Sequence, residues 1–308
     1  MLANKSMQWK KLGVIFNISN DYNSLDVYSH AVNPVPLLLK DNIYRIFFSV
    51  RDSNGKSNVS FFDFDFETLE ILYFDKYVSL NHGNSKLDID ESGISIGCLF
   101  DNSIYYMAWQ NLENQHWRGD IAYADLLPDL KTFEKPQNQL FMGVDEEDKI
   151  SLSYPFILSD ENVYHLWYGS TETWDYGNGE MLHVIKYAVS TDMKNWTKSG
   201  CCISPEIGVS QAFSRPCVIK VSEHDWHMWY SYRGNKDKYK IGYANSINGV
   251  DWNVFNNQQN VVYCSESGWD SEMVCYPYVF RHKDKLYMLY NGNGYGKTGI
   301  GLAVCEDF

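Results

Sequence analysis

The chain has 308 residues, 44% hydrophobic and 16% aromatic, with 23 Tyr and 10 Trp, enough to bury a large core, although length alone leaves one or two domains open. Thirty-nine acidic against 26 basic residues give a formal net charge of −13, a field that repels nucleic acid and anionic lipid where no Lys/Arg run reverses it. The opening MLANKSMQWKK carries no apolar leader and nowhere are about 18 apolar residues consecutive, so a soluble, cytoplasmic chain without a membrane span is expected. Seven cysteines, an odd number with no C-x-x-C pair, predict buried free thiols instead of a disulfide framework or zinc site. No ligand spacing argues for a metal, and no cofactor is expected.

Tyr, Trp, Phe and Val suit half-buried pleated surfaces, so the composition is that of a β protein. In chain order, MQWKKLGVIFN (7–17) reads as a lone strand. PVPLLLKDN then turns into the aromatic strand YRIFFSVRD (44–52), followed by SNVSFFDFD and, less clearly, an outer strand in ETLEILYFDKYVSL. The same hairpin grammar returns in GISIGCLFDN with IYYMAWQN (104–111), YPFILSDEN with VYHLWYGST (163–171), RPCVIKVSEHD with WHMWYSYRG (226–234), and YPYVFRHKDK with LYMLYNGNG (286–294). The aromatic strands start about 60 residues apart. Third strands follow in GDIAYADL, LHVIKYAVS, YKIGYANS and TGIGLAVCE, and outer strands in KTFEKPQNQLFM, KNWTKSGCCIS and DWNVFNNQQNVVYC.

The last repeat has no outer strand of its own, and MQWKKLGVIFN supplies one, with Trp9 in register with Trp196 and Trp252. The pattern predicts an all-β fold: a single five-bladed β-propeller domain over 1–308 with four-stranded blades at about 30–80, 90–143, 150–205, 212–264 and 273–308 plus 7–17. Two β-sandwiches are the alternative. They predict neither the repeated Trp/Phe-x-Lys-like segments nor a unit completed from the opposite terminus.

In such a fold the innermost strands begin around one central pocket. DVYSHAVNP (26–34), LDIDESGIS (87–95), KISLSYP (149–155), VSQAFSRP (209–216) and WDSEMVCYP (269–277) would bring His30, Asn33, Asp90, Glu91, Ser153, Arg215, Asp270 and Glu272 to it. Arg51, Asp52 and Arg233 end second strands at the same face, and His183 is a further candidate. Carboxylates act as acid, base or nucleophile at an anomeric carbon while aromatic faces stack on the ring. Asp52, Asp90, Glu91 and Glu272 are therefore the catalytic candidates; His30, Asn33, Arg51, His183, Arg215, Arg233, Asp270 and Trp269 are the substrate-binding ones; Trp109, Trp167 and Trp174 are further stacking platforms. Blander roles stand beside these. Asp52 and Glu272 would cap turns, Arg51 and Arg215 would be structural partners of those carboxylates, His30 and His183 would be satisfied histidines, and Asp90-Glu91 would be an exposed loop. Most second-strand aromatics are packing, and Gly292, Gly294 and Gly296 read as a tight inter-strand turn, since they join two strands instead of opening a helix.

SRPCVIK (214–220), MWYSYRG (228–234), YKIGYANSINGVDW (239–252) and WDSEMVCYPYVF followed by LYMLYNGNGYGKTGIGLAV resemble a group of glycosidase-like five-bladed propellers often described near bacterial surface-polysaccharide genes. The resemblance spans nearly the whole chain, and more distantly the chain is similar to arabinanase/xylosidase and invertase-type glycoside hydrolases and mannoside phosphorylases (families 43, 32 and 130). In arabinanase-type enzymes the first strands of three blades usually bring an Asp base, an assisting Asp and a Glu acid. Here His30 and Asn33 lie near the first position, with Asp26 upstream and Asp52 in an invertase-like Arg-Asp pair; Asp90 or Glu91 matches the second; Ser153 stands where the Glu is wanted, with Glu172 and Glu180 on the following long loop. The resemblance implies an enzyme of the glycoside hydrolase type, cleaving or transferring a glycosyl bond through paired carboxylates roughly 6.5–9.5 Å apart for inversion or about 5–5.5 Å for retention. The departures, with Arg51, Arg215, Arg233 and His30 able to hold a phosphate, diphosphate or uronate, leave two alternatives: a glycosyl phosphorylase or transferase using a phosphate- or nucleotide-activated sugar, and a non-catalytic glycan-binding propeller. A protein-interaction scaffold would instead show an apolar exposed face. The expected partner is a sugar or activated sugar; oligomeric state is left open.

Overall fold

The computed structural model describes residues 7–18, 24–113, 116–235, 237–255 and 260–308. Among them the chain is almost entirely strand, and none of its helical segments is long and apolar enough to cross a membrane. Strands β2 (Ser29–Lys40), β3 (Ile43–Arg51), β4 (Ser57–Asp65) and β5 (Glu70–Phe74) pair as an antiparallel meander. A second follows in β6 (Gly93–Phe100), β7 (Ser103–Asn111) and β8 (Trp117–Leu126), whose outer edge takes both β9 (Phe133–Glu134) and β10 (Leu140–Met142). Next come β11 (Leu152–Asp160), β12 (Val163–Thr173), β13 (Leu182–Ser190) and β14 (Thr197–Cys201), then β15 (Ala212–Ser222), β16 (Asp225–Arg233), β17 (Lys240–Ser246) and β18 (Asn253–Phe255).

The last group is β19 (Cys275–His282), β20 (Lys285–Asn291) and β21 (Ile300–Cys305), and its outer strand is β1 (Trp9–Phe16), paired antiparallel to β21 from Trp9 opposite Cys305 to Phe16 opposite Ile300. The two ends of the chain thus complete one sheet, as the Trp9 register predicts. β1 packs in both directions. Phe16 stacks on Phe62 of β4 at 4.3 Å, while Trp9 meets Trp229 of β16 edge-on at 6.0 Å. Between the groups, aromatic second and third strands interlock in buried clusters such as Phe47, Phe61, Ile96 and Tyr106, which is the packing that the aromatic stripes encode.

The first strands of successive groups lie against one another in a ring: β2 touches β6, β6 touches β11, β11 touches β15, β15 touches β19, and β19 returns to β2. Each carries a break in register at the same place, Val32/Val35, Ile96/Cys98, Ser153/Phe156, Ser214/Cys217 and Cys275/Tyr278. In four of them the residue before a proline is left-handed: Asn33 (φ 56°), Tyr154 (φ 42°), Arg215 (φ 51°) and Tyr276 (φ 55°). In β6 the site is Gly97, where a Cβ would fall 2.1 Å from the Pro155 carbonyl oxygen. A bulge re-aims the side chains that flank it, so one backbone device turns residues from every inner strand toward the axis.

Arg215 is the hub of this ring. Only 1% exposed, it donates from Nη1 to the Tyr276 carbonyl at 2.6 Å and from Nη2 to the Pro34 carbonyl at 2.7 Å, tying β15 to β19 and β2. Burial without an acidic partner lowers its pKa to about 10. Its partners are thus backbone carbonyls and neither Asp52 nor Glu272, while its Nε has no hydrogen-bond partner within the described residues.

Candidate functional site

A cavity of about 360 Å³ opens where the inner strands begin. The bulges deliver Asn33, Tyr154 and Tyr276 to its wall, with Ser95, Ser153 and Ser214 beside them on β6, β11 and β15. Arg51 and Arg233 reach it from the ends of β3 and β16, Trp109 from β7, Trp117 and His183 from the starts of β8 and β13, and Tyr239 and Tyr295 from the segments flanking β17 and β20. No carboxylate lines it among the described residues.

Asn33 Oδ1, Trp109 Nε1 and Ser214 Oγ on this wall have neither a hydrogen-bond partner nor an ion-pair partner within the described protein. Asn33 and Ser214 are 1% and 3% exposed. Unpaired polar atoms this deep each cost about 1–3 kcal/mol, and the cost is recovered when a polar ligand occupies the cavity. Around them lie the faces of Trp109, Trp117, Tyr154, Tyr239 and Tyr276, the last three in mutual contact at 5.7 and 5.9 Å between ring centres.

On one side His183 bridges Ser153 and Thr171, with Nε2 2.7 Å from Ser153 Oγ and Nδ1 2.8 Å from Thr171 Oγ1. Burial first, and the Arg233 charge second, lower its pKa to about 3, so the ring is neutral and its two bonds hold Ser153 at the wall. Arg233 itself is paired with Glu180, Nε to Oε2 and Nη2 to Oε1 both at 2.9 Å, lies over the Tyr239 ring and donates to the Tyr295 hydroxyl. Burial opposes its charge, but Tyr239 and Glu180 more than compensate and raise its pKa.

The structure therefore gathers Asn33, Arg51, His183 and Arg233, together with Ser153 and Trp109, on one cavity wall. The remaining candidates lie elsewhere. Asp52 accepts the backbone N–H groups of Asn54 and Lys56 and faces His82 at 3.6 Å, a turn cap. Asp90 is fully buried instead of lying on an exposed loop, 2.6 Å from Lys135 with the Tyr106 hydroxyl at 3.4 Å. Asp270 repeats the arrangement with Lys11 at 2.6 Å and Tyr290 at 3.0 Å. Glu91 pairs with Lys56 at 2.6 Å, and this bond lowers its pKa. Glu272 is exposed, its backbone N–H donating to Asn293 Oδ1.

His30, half-buried and left-handed (φ 63°), has Nδ1 2.9 Å from Ser29 Oγ. Trp269 packs on Tyr290 at 5.2 Å and lies so close under Gly292 that a Cβ there would meet its ring at 2.4 Å; Gly294 (φ 65°) and Tyr295 (φ 58°) then make the expected inter-strand turn. Trp167 is core, its Nε1 bonded to the Gly249 carbonyl. Trp174 stacks on His116 at 4.8 Å and meets Trp117 edge-on at 4.6 Å, and Glu172 pairs with Lys186. Among the described residues no three His, Cys, Asp or Glu converge on a possible metal position.

Sequence reasoning passed over Tyr154, Tyr276, Tyr239, Tyr295 and Trp117, which look like the packing aromatics around them. The x-Pro dipeptides shared by four inner strands were the available signal.

No family model matches the sequence. Its fold is that of β-propeller glycosidases: the TM-score is 0.74 to the BT0996 RGII complex, with 14% identity over 97% of this chain and 91% of that one. It is 0.67 to a structure from the GH130 family of mannoside phosphorylases, described as containing glycoside hydrolases that target β-1,2 mannosidic linkages in Candida mannan, with 14% identity over 99% and 95%. It is 0.59 to a thermostable family-43 glycoside hydrolase, with 16% identity over 92% and 90%. By sequence, the chain belongs to the same family as two uncharacterized proteins of Mycobacterium tuberculosis. It is 35% identical to MT1551 of strain CDC 1551 / Oshkosh and 34% identical to Rv1502 of strain ATCC 25618 / H37Rv, each over 307 residues, 98% of this chain and 100% of the relative.

Proposed function

We propose that the chain is a single five-bladed propeller and a carbohydrate-active enzyme that holds a glycosyl group in the cavity at the head of its inner strands. The observation that carries this reading is the wall itself, where Asn33 Oδ1, Trp109 Nε1 and Ser214 Oγ await partners between aromatic faces. Sugar hydroxyls satisfy such groups while the apolar face of the ring stacks on Trp or Tyr. The ring of inner strands and the pairing of β1 with β21 support five blades, and the propeller glycosidases of the same fold support the enzyme class. The free thiols suit a reducing, cytoplasmic compartment.

Chemically, the wall favours transfer from an activated sugar over hydrolysis of a neutral glycan. A sugar alkoxide needs a general acid to leave, in most glycoside hydrolases a carboxylic acid, and among the described residues no carboxylate lines the cavity. A phosphate leaves as a stable anion and asks only for cations and hydrogen-bond donors. Ser153, fixed by neutral His183, and Arg51 supply those, and Glu180, behind the wall with both oxygens on Arg233, positions that guanidinium at the cavity.

The test is a calorimetric and turnover screen of glycosyl phosphates, nucleotide sugars and aryl glycosides on wild type, Ser214→Ala, Asn33→Ala, Glu180→Gln and Glu272→Gln. Sugar binding weakened about tenfold or more in the Ser214 and Asn33 variants is expected, with turnover lost in Glu180→Gln and kept in Glu272→Gln. Turnover lost in Glu272→Gln would return the reaction to the paired-carboxylate mechanism, and no binding of any sugar would remove the carbohydrate reading. Binding without turnover would make the protein a glycan-binding propeller, a reading that the locking of Glu180 by Arg233 favours.

A further inference from the structure

We infer that the free edge of β5 docks a second copy of this chain, the two strands pairing antiparallel about a two-fold axis at Tyr73. The inference stands apart from the glycosyl reading, because it concerns the outer rim of the first meander and not the cavity. β5 pairs with β4 on one side, and among the described residues no strand lies on its other side. Yet Leu69, Ile71, Leu72, Tyr73 and Tyr77 are all exposed. The register break between Asp63 and Phe64 explains this run: Leu72 is skipped in the pairing, between Ile71 opposite Phe64 and Tyr73 opposite Asp63. A bulge interrupts the alternation of side chains, so Ile71, Leu72 and Tyr73 reach solvent in succession. Arg45 widens the apolar border, for it pairs with Asp63 and donates from Nη1 to the carbonyl of exposed Leu130 at 2.6 Å.

The other outer strands carry the usual defences of an open edge, which are short length, lysine and small or polar side chains. β9, β10 and β18 have two or three residues, β14 exposes only Thr197, Ser199 and Cys201, and β1 presents Lys10. β5 has no lysine, and exposed charges stand only at its ends, Glu70 as its first residue and Lys76 just beyond its last. Two chains of formal charge −13 repel, so a second copy docks only where the contact is locally complementary. Centred on Tyr73, an antiparallel pair sets Leu72 opposite Phe74, Ile71 opposite Asp75 and Glu70 opposite Lys76, on both sides of the axis. Asp75 is already engaged, its Oδ1 accepting the Tyr77 N–H at 3.0 Å. An in-register parallel pair would set Glu70 against Glu70. The backbone fits the antiparallel choice. Asp75 gives its N–H to the Phe61 carbonyl on the β4 side, so strand alternation turns the amide and carbonyl of Phe74 outward, where Leu72 of the second copy meets them. The contact is isologous, as a closed two-fold dimer requires, and combines strand addition with burial of an apolar border.

Sedimentation velocity over a range of protein concentrations tests this on wild type, Leu72→Lys, Glu70→Lys, Lys76→Glu and the Glu70→Lys/Lys76→Glu double variant. All the changes fall at exposed positions, and thermal melting verifies folding. Wild type is expected to sediment as a dimer of two 35.8 kDa chains that dilution dissociates. Leu72→Lys, which puts a charge on the apolar edge, should raise the dissociation constant about tenfold or more. Each single charge reversal opposes like charges across the axis and should weaken the dimer, whereas the double variant restores the pair with its order exchanged and should recover the wild-type affinity. A monomer at every concentration, a dimer that Leu72→Lys leaves intact, or a double variant no tighter than its two parents would overturn the inference. Association that continues beyond two chains as concentration rises would overturn the two-fold arrangement as well.

Discussion

His183 shows how one residue couples the cavity to stability. It joins Ser153 to Thr171 and is itself only 4% exposed, so its ring stays neutral down to about pH 3, while in the unfolded chain it protonates near 6.5. Its stabilising contribution is therefore complete above about pH 6.5 and is withdrawn as pH falls from there toward 3, at about 1.4 kcal/mol per pH unit. His183→Asn should be less stable than wild type at pH 7.5, because two bonds are lost, yet should lose stability less steeply between pH 6.5 and 4. Urea denaturation at several pH values measures both slopes; parallel curves would show that this histidine is not the sensor. Legibility at this scale followed polarity. Asn33, Arg51, His183 and Arg233 stand out as polar residues at strand ends, whereas Tyr154 and Tyr276 do not, because their aromatic side chains match the packing stripes. What sets them apart is a left-handed backbone before Pro155 and Pro277, a conformation that residue identity alone does not announce.

Among the elements, the acids ahead of the inner strands form a repeated clasp. Asp90 meets Tyr106 of the second strand and Lys135 beyond β9; Asp148 meets Tyr168 and Lys198; Asp270 meets Tyr290 and Lys11. Each lysine stands two residues after an aromatic, in Trp9-Lys10-Lys11, Phe133-Glu134-Lys135 and Trp196-Thr197-Lys198, so the clasp ties the entry loop, second strand and outer edge of one sheet together. β18 has Val254 at that place and lacks the clasp. The Trp/Phe-x-Lys segments were visible in the sequence. Their acid partners were not, since the pairs lie 45, 50 and 259 residues apart, and a polar residue before an apolar strand also fits a catalytic acid. At Asp148 burial raises the carboxyl pKa, but bonds from Lys198, Ser170 and Lys186 outweigh it and hold the value at about 2. This stabilisation is present above about pH 4 and is lost as pH falls toward 2. Asp148→Asn should cost about 1.5–3 kcal/mol at neutral pH, because it removes the buried anion that Lys186 and Lys198 share and leaves them only the more exposed Glu172 and Asp145. Lys198→Met should cost less once combined with Asp148→Asn than the sum of the single changes, and strictly additive melting data would show that the clasp is not a unit.

Across the whole molecule, the strand that closes the last sheet comes from the other end of the chain, and three independent contacts fix it there. Trp9 and Trp229 both donate their indole N–H to the Asn260 carbonyl, at 2.9 and 2.8 Å, Lys11 neutralises buried Asp270, and Phe16 stacks on Phe62. The arrangement was legible because a repeat of about 60 residues left one outer strand missing and one spare. The position of the cavity wall was less so, because it depends on bulges that shift register in every inner strand. Removing residues 1–17 would strip the edge of β21, leave buried Asp270 without its lysine, and expose the faces of Trp229 and Phe62 at once. An unpaired apolar edge strand is a template for association, so the truncated chain should aggregate on heating and lose its single cooperative transition. A synthetic peptide of residues 7–17 added in trans should restore that transition by adding a strand to the open edge, and the same peptide with Lys11→Met should restore it less well. Unchanged melting of the truncated chain would mean that the remaining strands hold the ring without β1, and that the joining of the two chain ends contributes little to the fold.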